Sequence, residues 1–499
     1  MKAFRYIFII IVAGLIIFSA YSIYHKDENE DIQENNQVET EQTQVITNLK
    51  MGISEYDTMN PLISKNKSVQ YIDKLVFEPL VTLNEDFSIK NCLAKEYSKT
   101  GDMTYVIKLR DDIKWHDGTA ISAKDVQFTI DRLKDGSISS IYQENVRNVS
   151  SVEVIDEQTV KIYLDKDVPF FEYNLIFPVM PYHYYINEDF AQSSKIPIGT
   201  GMYKITKIEG TYIQLSKNED WWNKDVNAKI DTITINLYNS MGEVYNAFKI
   251  GNIDIIPTSN SNYTQYVGTI GFGVKEYKSR DYDFLAFNLE NPNLQKKEVR
   301  QAIAYAIDKS NIVATIYNNN YEVSNYPLDF GHYLYDNENT NIQYNTEQAQ
   351  KLLQDNGWEL KYRTWSKWED YRTYRTSFNL VVNSSNVPRV AVAESIKNQL
   401  ADIGIEINIR KVSDYQYNYY LENKNYDIIL TGTTESASPD MKIYFGENNF
   451  SKFINEEALN IINDVRNIGD KKTLKENYKK LQKIYEDEVY YISLYRNRE

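Results

Sequence analysis

Stretches in which apolar and polar residues alternate are interleaved, along most of this chain, with stretches whose apolar residues recur every three to four positions. That mixture is what most limits the fold. Residues 104–110, 159–164, 211–216 and 233–238 alternate, with Val160, Ile162 and Leu164 on one face of the second and Ile213 and Leu215 on one face of the third. Such alternation marks half-buried strands. Helical patterns come between and after them. Ser122, with Asp125 three residues on, can cap a helix carrying Val126, Ile130 and Leu133, and Val299, Ile303, Ala306 and Ile307 share a second helical face. Asn345 with Gln348 opens a helix that Gly357 can close, and Pro388 opens one that Gly404 can close before the alternating Ile405, Ile407 and Ile409. A last helix carries Leu474, Tyr478, Leu481 and Tyr485 on one side. Strands and helices in mixed order without a fixed short repeat define an α/β protein, neither a solenoid nor all-β. At 499 residues there is room for about three domains or one large composite body.

The amino-terminal segment predicts where the chain resides. Residues 6–24 carry no charge, follow Lys2 and Arg5, and precede Asp27, Glu28, Glu30 and Asp31. As a helix they would be about 28 Å long, close to the hydrocarbon thickness of a bilayer. Positive charge before the span and negative charge after it place everything beyond Tyr24 outside. Residues 1–24 are therefore expected to be a membrane anchor on the outer face of the cell membrane; a secretion signal cleaved near Ala20 and Ser22 is the alternative. Lipid attachment just after the apolar run is excluded, because the single cysteine is Cys92. Residues 25–47, with seven acids against one lysine, read as an acidic disordered tether.

Composition closes off several kinds of chemistry. A net charge of −15 is wrong for a protein that coats nucleic acid. A lone cysteine excludes an internal disulfide and multi-cysteine metal sites. The four histidines, 25, 116, 183 and 332, are far apart and in no metal-binding spacing. Neither a nucleophile elbow, nor a phosphate loop, nor a dinucleotide fingerprint occurs. No catalytic residue, metal or cofactor is expected, and His116, in the turn sequence Trp115-His116-Asp117-Gly118, reads as structural.

The segment from Leu109 to Thr119, Leu-Arg-Asp-Asp-Ile-Lys-Trp-His-Asp-Gly-Thr, followed by Ser122-Ala123-Lys124-Asp125-Val126, resembles the signature of the peptide/nickel-type solute-binding proteins of ABC transporters. Phe77-Glu78-Pro79-Leu80-Val81, Met180-Pro181-Tyr182-His183, Gly199-Thr200-Gly201-Met202-Tyr203 and Val299-Arg300-Gln301-Ala302 through Asp308-Lys309 follow in the order found in that family, and the likeness extends over roughly residues 47–495. The resemblance implies a two-lobed periplasmic-binding-protein-like fold with a hinge and an extra subdomain in the amino-terminal lobe. Residues 48–70, 199–281 and 485–499 would form lobe I, 71–198 its subdomain, and 282–484 lobe II. It further implies a non-enzymatic monomer that encloses a short peptide between its lobes and delivers it to a membrane permease, by closure about the hinge. Trp115, His116, Asp117, Gly118, Gly199, Gly201, Arg300 and Asp308 would be architectural.

Ligand contacts are expected from Glu55, Tyr56 and Asp57, from Thr431, Gly432, Thr433, Thr434, Glu435 and Ser436, and hinge motion from Asp281, Tyr282, Asp283 and Phe284. Two departures stand out. Peptide binders of the family carry an aspartate for the peptide amine at a position that here falls on Ser436, with Glu435 and Asp440 as shifted candidates, and the chain ends soon after Ser493-Leu494-Tyr495. An oligosaccharide or other solute is therefore the alternative ligand, and an anchored sensory or interaction protein the alternative role. Residues 360–375, rich in Lys, Arg, Tyr and Trp, read as a solvated strand and turn with stacked Arg and Tyr, a contact surface for an acidic partner or anionic head groups being the alternative. Tyr415, Tyr417, Tyr419 and Tyr420 read as lobe packing.

Overall fold

The computed structural model describes residues 47–136, 138–256, 271–275, 277–338, 342–467 and 470–498. The expected anchor and, apart from Thr47, the expected tether lie outside these residues. Among the described residues no helix is long and apolar enough to cross a membrane. The chain divides into two compact units, 1–275 and 276–499.

The first unit is built from β1 (Asn48–Ser54), β2 (Val81–Leu83), β3 (Ile89–Asn91), β4 (Ala94–Gly101), β5 (Thr104–Leu109), β6 (Val149–Val154), β7 (Thr159–Leu164), β8 (Tyr203–Glu209), β9 (Tyr212–Lys217) and β10 (Thr232–Tyr238). One sheet runs β1-β10-β9-β8, another β4-β5-β7-β6, and β2 pairs with β3. β1 lies parallel to β10, from Asn48 opposite Thr232 to Ser54 opposite Tyr238. The alternation seen in the sequence is what buries one face: Ile213, Leu215, Ile233 and Ile235 from the first sheet, and Ile107, Val160, Ile162 and Leu164 from the second, join one continuous core. Helix Ala123–Lys134 sends Val126, Ile130 and Leu133 into that core, and at its start Asp125 Oδ2 accepts the Ser122 N–H at 2.7 Å, as the sequence predicts. Each fully buried aliphatic side chain of this kind contributes roughly 1.5–3 kcal/mol.

The second unit contains β11 (Lys278–Phe287), β12 (Tyr321–Val323), β13 (Glu359–Lys361), β14 (Thr364–Glu369), β15 (Arg372–Arg375), β16 (Ser377–Asn383), β17 (Glu406–Val412), β18 (Ile428–Thr434) and β19 (Tyr491–Arg498). Its main sheet has the order β12-β19-β11-β18-β16-β17. β16 is parallel to β17 and β18, whereas β11 is antiparallel to β18 on one side and β19 on the other. Helix Val387–Asp402 covers the sheet with Val392, Ala393, Ile396 and Leu400, has Pro388 in its first turn, and is followed by Gly404 at φ +85°. Residues 359–375 form the separate sheet β13-β14-β15, in which the Arg372 guanidinium sits 4.4 Å from the Tyr374 ring centre.

Two expected boundaries change. Residues 485–499 are expected in the first lobe, but β19 pairs with β11 and β12 inside the second unit's sheet. The expected hinge, Asp281 to Phe284, is the interior of β11, hydrogen-bonded along both edges with Tyr282 and Phe284 buried; a strand held on both sides resists bending, and the unit boundary falls before it, at 275/276.

Candidate functional site

The pairing of β11 with β18 brings two expected groups of residues together. Asp281 lies opposite Thr434, Tyr282 opposite Thr433, Asp283 opposite Gly432 and Phe284 opposite Thr431. Over this corner of the second unit is a cavity of about 340 Å³, lined by Asp281, Asp283, Arg389 and Gly432 together with Tyr317, Tyr321 and Tyr495. Thr433, Thr434, Asn386 and Asn497 also reach it.

Its floor is an ion pair. Arg389 donates from Nε to Asp283 Oδ2 at 2.8 Å and from Nη2 to Oδ1 at 2.7 Å. Such a two-pronged, charge-assisted pair fixes both side chains in position as well as in charge. Burial opposes the Arg389 charge, but the bonds to Asp283 outweigh it and raise its pKa. Gly432 is required beneath the pair: a Cβ there would fall 2.0 Å from Asp283 Oδ1 and 2.2 Å from Arg389 Nη2. One wall is aromatic. The Tyr317 and Tyr321 rings lie 4.0 Å apart between centres, Tyr495 packs 4.8 Å from Tyr317, and the Tyr317 hydroxyl donates to that of Tyr495 at 2.9 Å.

The remaining expected contacts lie outside this cavity. Glu435 is buried; its amide donates to the Arg280 carbonyl at 2.8 Å, the Tyr444 hydroxyl donates to its carboxylate, and burial pushes its carboxyl up to about 7. It therefore faces the interior. Ser436 is exposed and accepts the Ser438 N–H. In the first unit, Asp57 accepts from the amides of Thr58, Lys65 and Asn66 and from Ser64 Oγ, so its carboxylate organises the loop after β1. Glu55 is exposed at φ 57° and Tyr56 is half-buried, its pKa raised by burial. Tyr417 is buried and donates to the Leu430 carbonyl, while Tyr415 and Tyr419 are exposed.

Each expected architectural residue has a visible task. Trp115 Nε1 reaches Asp125 Oδ2 at 3.4 Å. His116 Nδ1 accepts the Gly199 N–H at 3.1 Å while Nε2 donates to the Gly201 carbonyl at 3.1 Å, so the proton sits on Nε2, and burial pulls the imidazole down to about 4. Asp117 meets His183 at 2.8 Å and Gly118 turns at φ +91°. Gly199 and Gly201 pass directly against the end of helix Lys67–Val76, where a Cβ would lie 1.8 Å from the Val76 carbonyl oxygen and 2.5 Å from that of Leu75. Arg300, buried, donates to the carbonyls of Leu294, Gln295, Glu488 and Val489, and Asp308 accepts the Asn311 N–H to cap the helix Lys309–Ile316.

Arg389, Tyr317, Tyr321 and Tyr495 are among the cavity residues that the sequence did not single out for binding, as are Asn386 and Asn497. Arg389 follows the helix-opening Pro388, which was a signal of position and not of charge pairing. Tyr495 lay in a quoted motif, and nothing local distinguishes Tyr317 or Tyr321 among 42 tyrosines.

A mixed α/β body with a polar, aromatic-walled cavity of about 340 Å³ has room for a small solute. Residues 88–453 match the bacterial extracellular solute-binding proteins, family 5 (middle region), and the chain belongs to that family. It is 26% identical over 481 residues to the oligopeptide-binding protein AppA of Bacillus subtilis, covering 89% of this chain and 85% of that protein. The crystal structure of NikZ from Campylobacter jejuni in complex with Ni(L-His) is similar at 26% identity, with a TM-score of 0.58 over 91% of this chain and 93% of that one. MppA, a periplasmic murein tripeptide binding protein in its unliganded open form, shares the fold with a TM-score of 0.78 over 91% of this chain and 92% of its own, at 18% identity. The two-lobed fold expected from the sequence is thus the fold of this family's relatives.

Proposed function

We propose that this chain captures short peptides outside the cytoplasm and passes them to the permease of an ABC importer, without chemical change. The observation that carries this reading is the cavity over β11 and β18 in a member of an extracellular solute-binding family, whose relative AppA is an oligopeptide-binding protein. Backbone amides and carbonyls of an extended peptide are tolerant of side-chain identity, which suits a receptor that feeds a transporter. Residues 6–24 would hold the receptor, as a monomer, at the outer face of the membrane.

Native mass spectrometry of the protein purified from its host tests this. Co-purified masses matching peptides of mixed composition are expected. A ladder of hexose increments would replace the reading with oligosaccharide capture. An empty protein that gives no calorimetric heat with a short-peptide library would overturn transport of peptides and favour a sensory or scaffolding role.

A further inference from the structure

We infer that the cavity of the second unit takes a positively charged nitrogen, an ammonium group seated on the Asp281 carboxylate against the Tyr317–Tyr321 ring pair; this rests on the peptide reading above and specifies what part of a ligand enters there. Some of the charges in the cavity are already paired with each other. Arg389 is the cavity's guanidinium, and its Nε and Nη2 edge is filled by Asp283, so an anion entering here would be left the outer Nη protons alone and would sit beside the Asp283 carboxylate. The start of helix Val387–Asp402 is no better a site for an anion. Pro388 has no N–H, and the amides of Arg389 and Val390 are taken by the side chain and carbonyl of Asn386.

Asp281 stands in the opposite condition. It is exposed; its amide donates to Ser279 Oγ at 3.1 Å, and among the described residues its carboxylate takes one side-chain bond, from the Thr434 hydroxyl to Oδ1 at 2.5 Å. Among the described residues no lysine or arginine pairs with it. With Asp283 neutralised by Arg389, Asp281 leaves the cavity with one uncompensated negative charge. Beside it stand tyrosine faces, whose negative quadrupole attracts a cation, and the side-chain carbonyls of Asn386 and Asn497 can accept further ammonium protons. Peptides supply this chemistry from two sources, the amino terminus and a lysine side chain.

Calorimetry on the full chain at low ionic strength separates them. The probes are the tetrapeptide Ala-Ala-Lys-Ala, its norleucine counterpart, the amino-terminally acetylated form of each, and cadaverine as a diammonium without a peptide backbone. Asp281→Asn, which keeps the shape and the Thr434 bond, should weaken Ala-Ala-Lys-Ala by about ten- to a hundredfold, the ordinary loss for a charge-assisted bond. Asp281→Glu should retain most of the affinity. In the wild type, either norleucine or acetylation should produce the same loss, identifying the seated amine, and that change should cost nothing further in Asp281→Asn. Peptide binding that ignores both Asp281→Asn and removal of either ammonium overturns the inference and leaves peptide capture standing. Asp281-dependent binding of cadaverine with no binding of any peptide overturns peptide capture and leaves the inference standing. Absence of binding by all five probes overturns the inference as well.

Discussion

Arg389 grips Asp283 through two parallel hydrogen bonds, Nε to Oδ2 at 2.8 Å and Nη2 to Oδ1 at 2.7 Å, across a separation of 106 residues. The pair joins the first turn of helix Val387–Asp402 to the middle of β11, and so fixes the helix end over the sheet at the place where the cavity opens. Both partners are only partly exposed, so water screens the pair less than it would at the surface.

Gly432→Ala tests that joint. The new methyl group would fall within 2.2 Å of both charged side chains and 2.9 Å from the Tyr282 carbonyl oxygen, so the pair must part or β18 must shift. The expected loss is about 1–3 kcal/mol of stability in urea unfolding. In an Asp283→Ala, Arg389→Ala background, which removes the obstructing groups, the same substitution should cost markedly less. An equal cost in both backgrounds would show that the pair does not set the requirement for glycine.

Glu435→Gln probes the buried acid that the sequence offered as a ligand contact. Burial raises its carboxyl to about 7 from the ordinary 4.5. A raised carboxyl holds its proton in the folded state, so its contribution to stability is fully present below about pH 4.5 and is lost as pH rises through 7. Glutamine does not titrate. Measured against wild type in urea, the variant should gain about 2 kcal/mol between pH 5 and pH 8. A difference that stays flat across that range would show that Glu435 is ionised throughout.

What the sequence made legible was local. Ser122 and Asp125 announced a helix start, Asp117-Gly118 a turn, and Ile405, Ile407 and Ile409 a strand following a glycine stop, because each rests on residues within a few positions of one another. The family motifs carried the overall architecture. Strand neighbours were not legible: nothing within residues 491–498 says that they pair with β11 and not with the strands near residue 50. The same limit hid the cavity. Asp283 was visible as part of an expected hinge and Gly432 as part of an expected loop, but alternation assigns faces to a strand without naming the strand alongside. Nor does the sequence show that Glu435 is buried just after β18, which depends on Tyr444 and Arg280 meeting it there.

His116 gives a pH dependence of opposite sign. Its imidazole falls to about 4 from the ordinary 6.5 through burial, and Nδ1 must stay unprotonated to accept the Gly199 N–H. The unfolded chain takes up a proton first, so the contribution of His116 is fully present above pH 6.5 and declines as pH falls toward 4. Buried Glu78, also raised to about 7, and Glu435 act in the other direction over the same range and together outweigh His116 in the wild-type curve. The comparison with His116→Gln isolates it: between pH 7.5 and pH 5 wild type should lose about 2 kcal/mol relative to the variant. No relative change would show that the imidazole titrates normally.

Gly199→Ala should be the most damaging single methyl group in the first unit. Its Cβ would sit 1.8 Å from the Val76 carbonyl oxygen and 2.7 Å from the Val76 carbonyl carbon, both backbone atoms at the end of helix Lys67–Val76, which no rotamer change can clear. The Gly199 N–H and carbonyl also bond to His116, and the Gly201 N–H donates to the Val76 carbonyl at 2.9 Å, so moving segment 199–201 aside would break the turn that holds Trp115 and His116. Overpacking against fixed backbone costs about 1–3 kcal/mol where the surroundings yield, and more where they do not. The expected outcome is a melting temperature lower by several degrees or loss of soluble protein, whereas Gly210→Ala, where a Cβ would meet nothing within 4 Å, should melt close to wild type. A Gly199→Ala protein that melts with wild type would show that the segment 199–201 can move away from the helix end without loss.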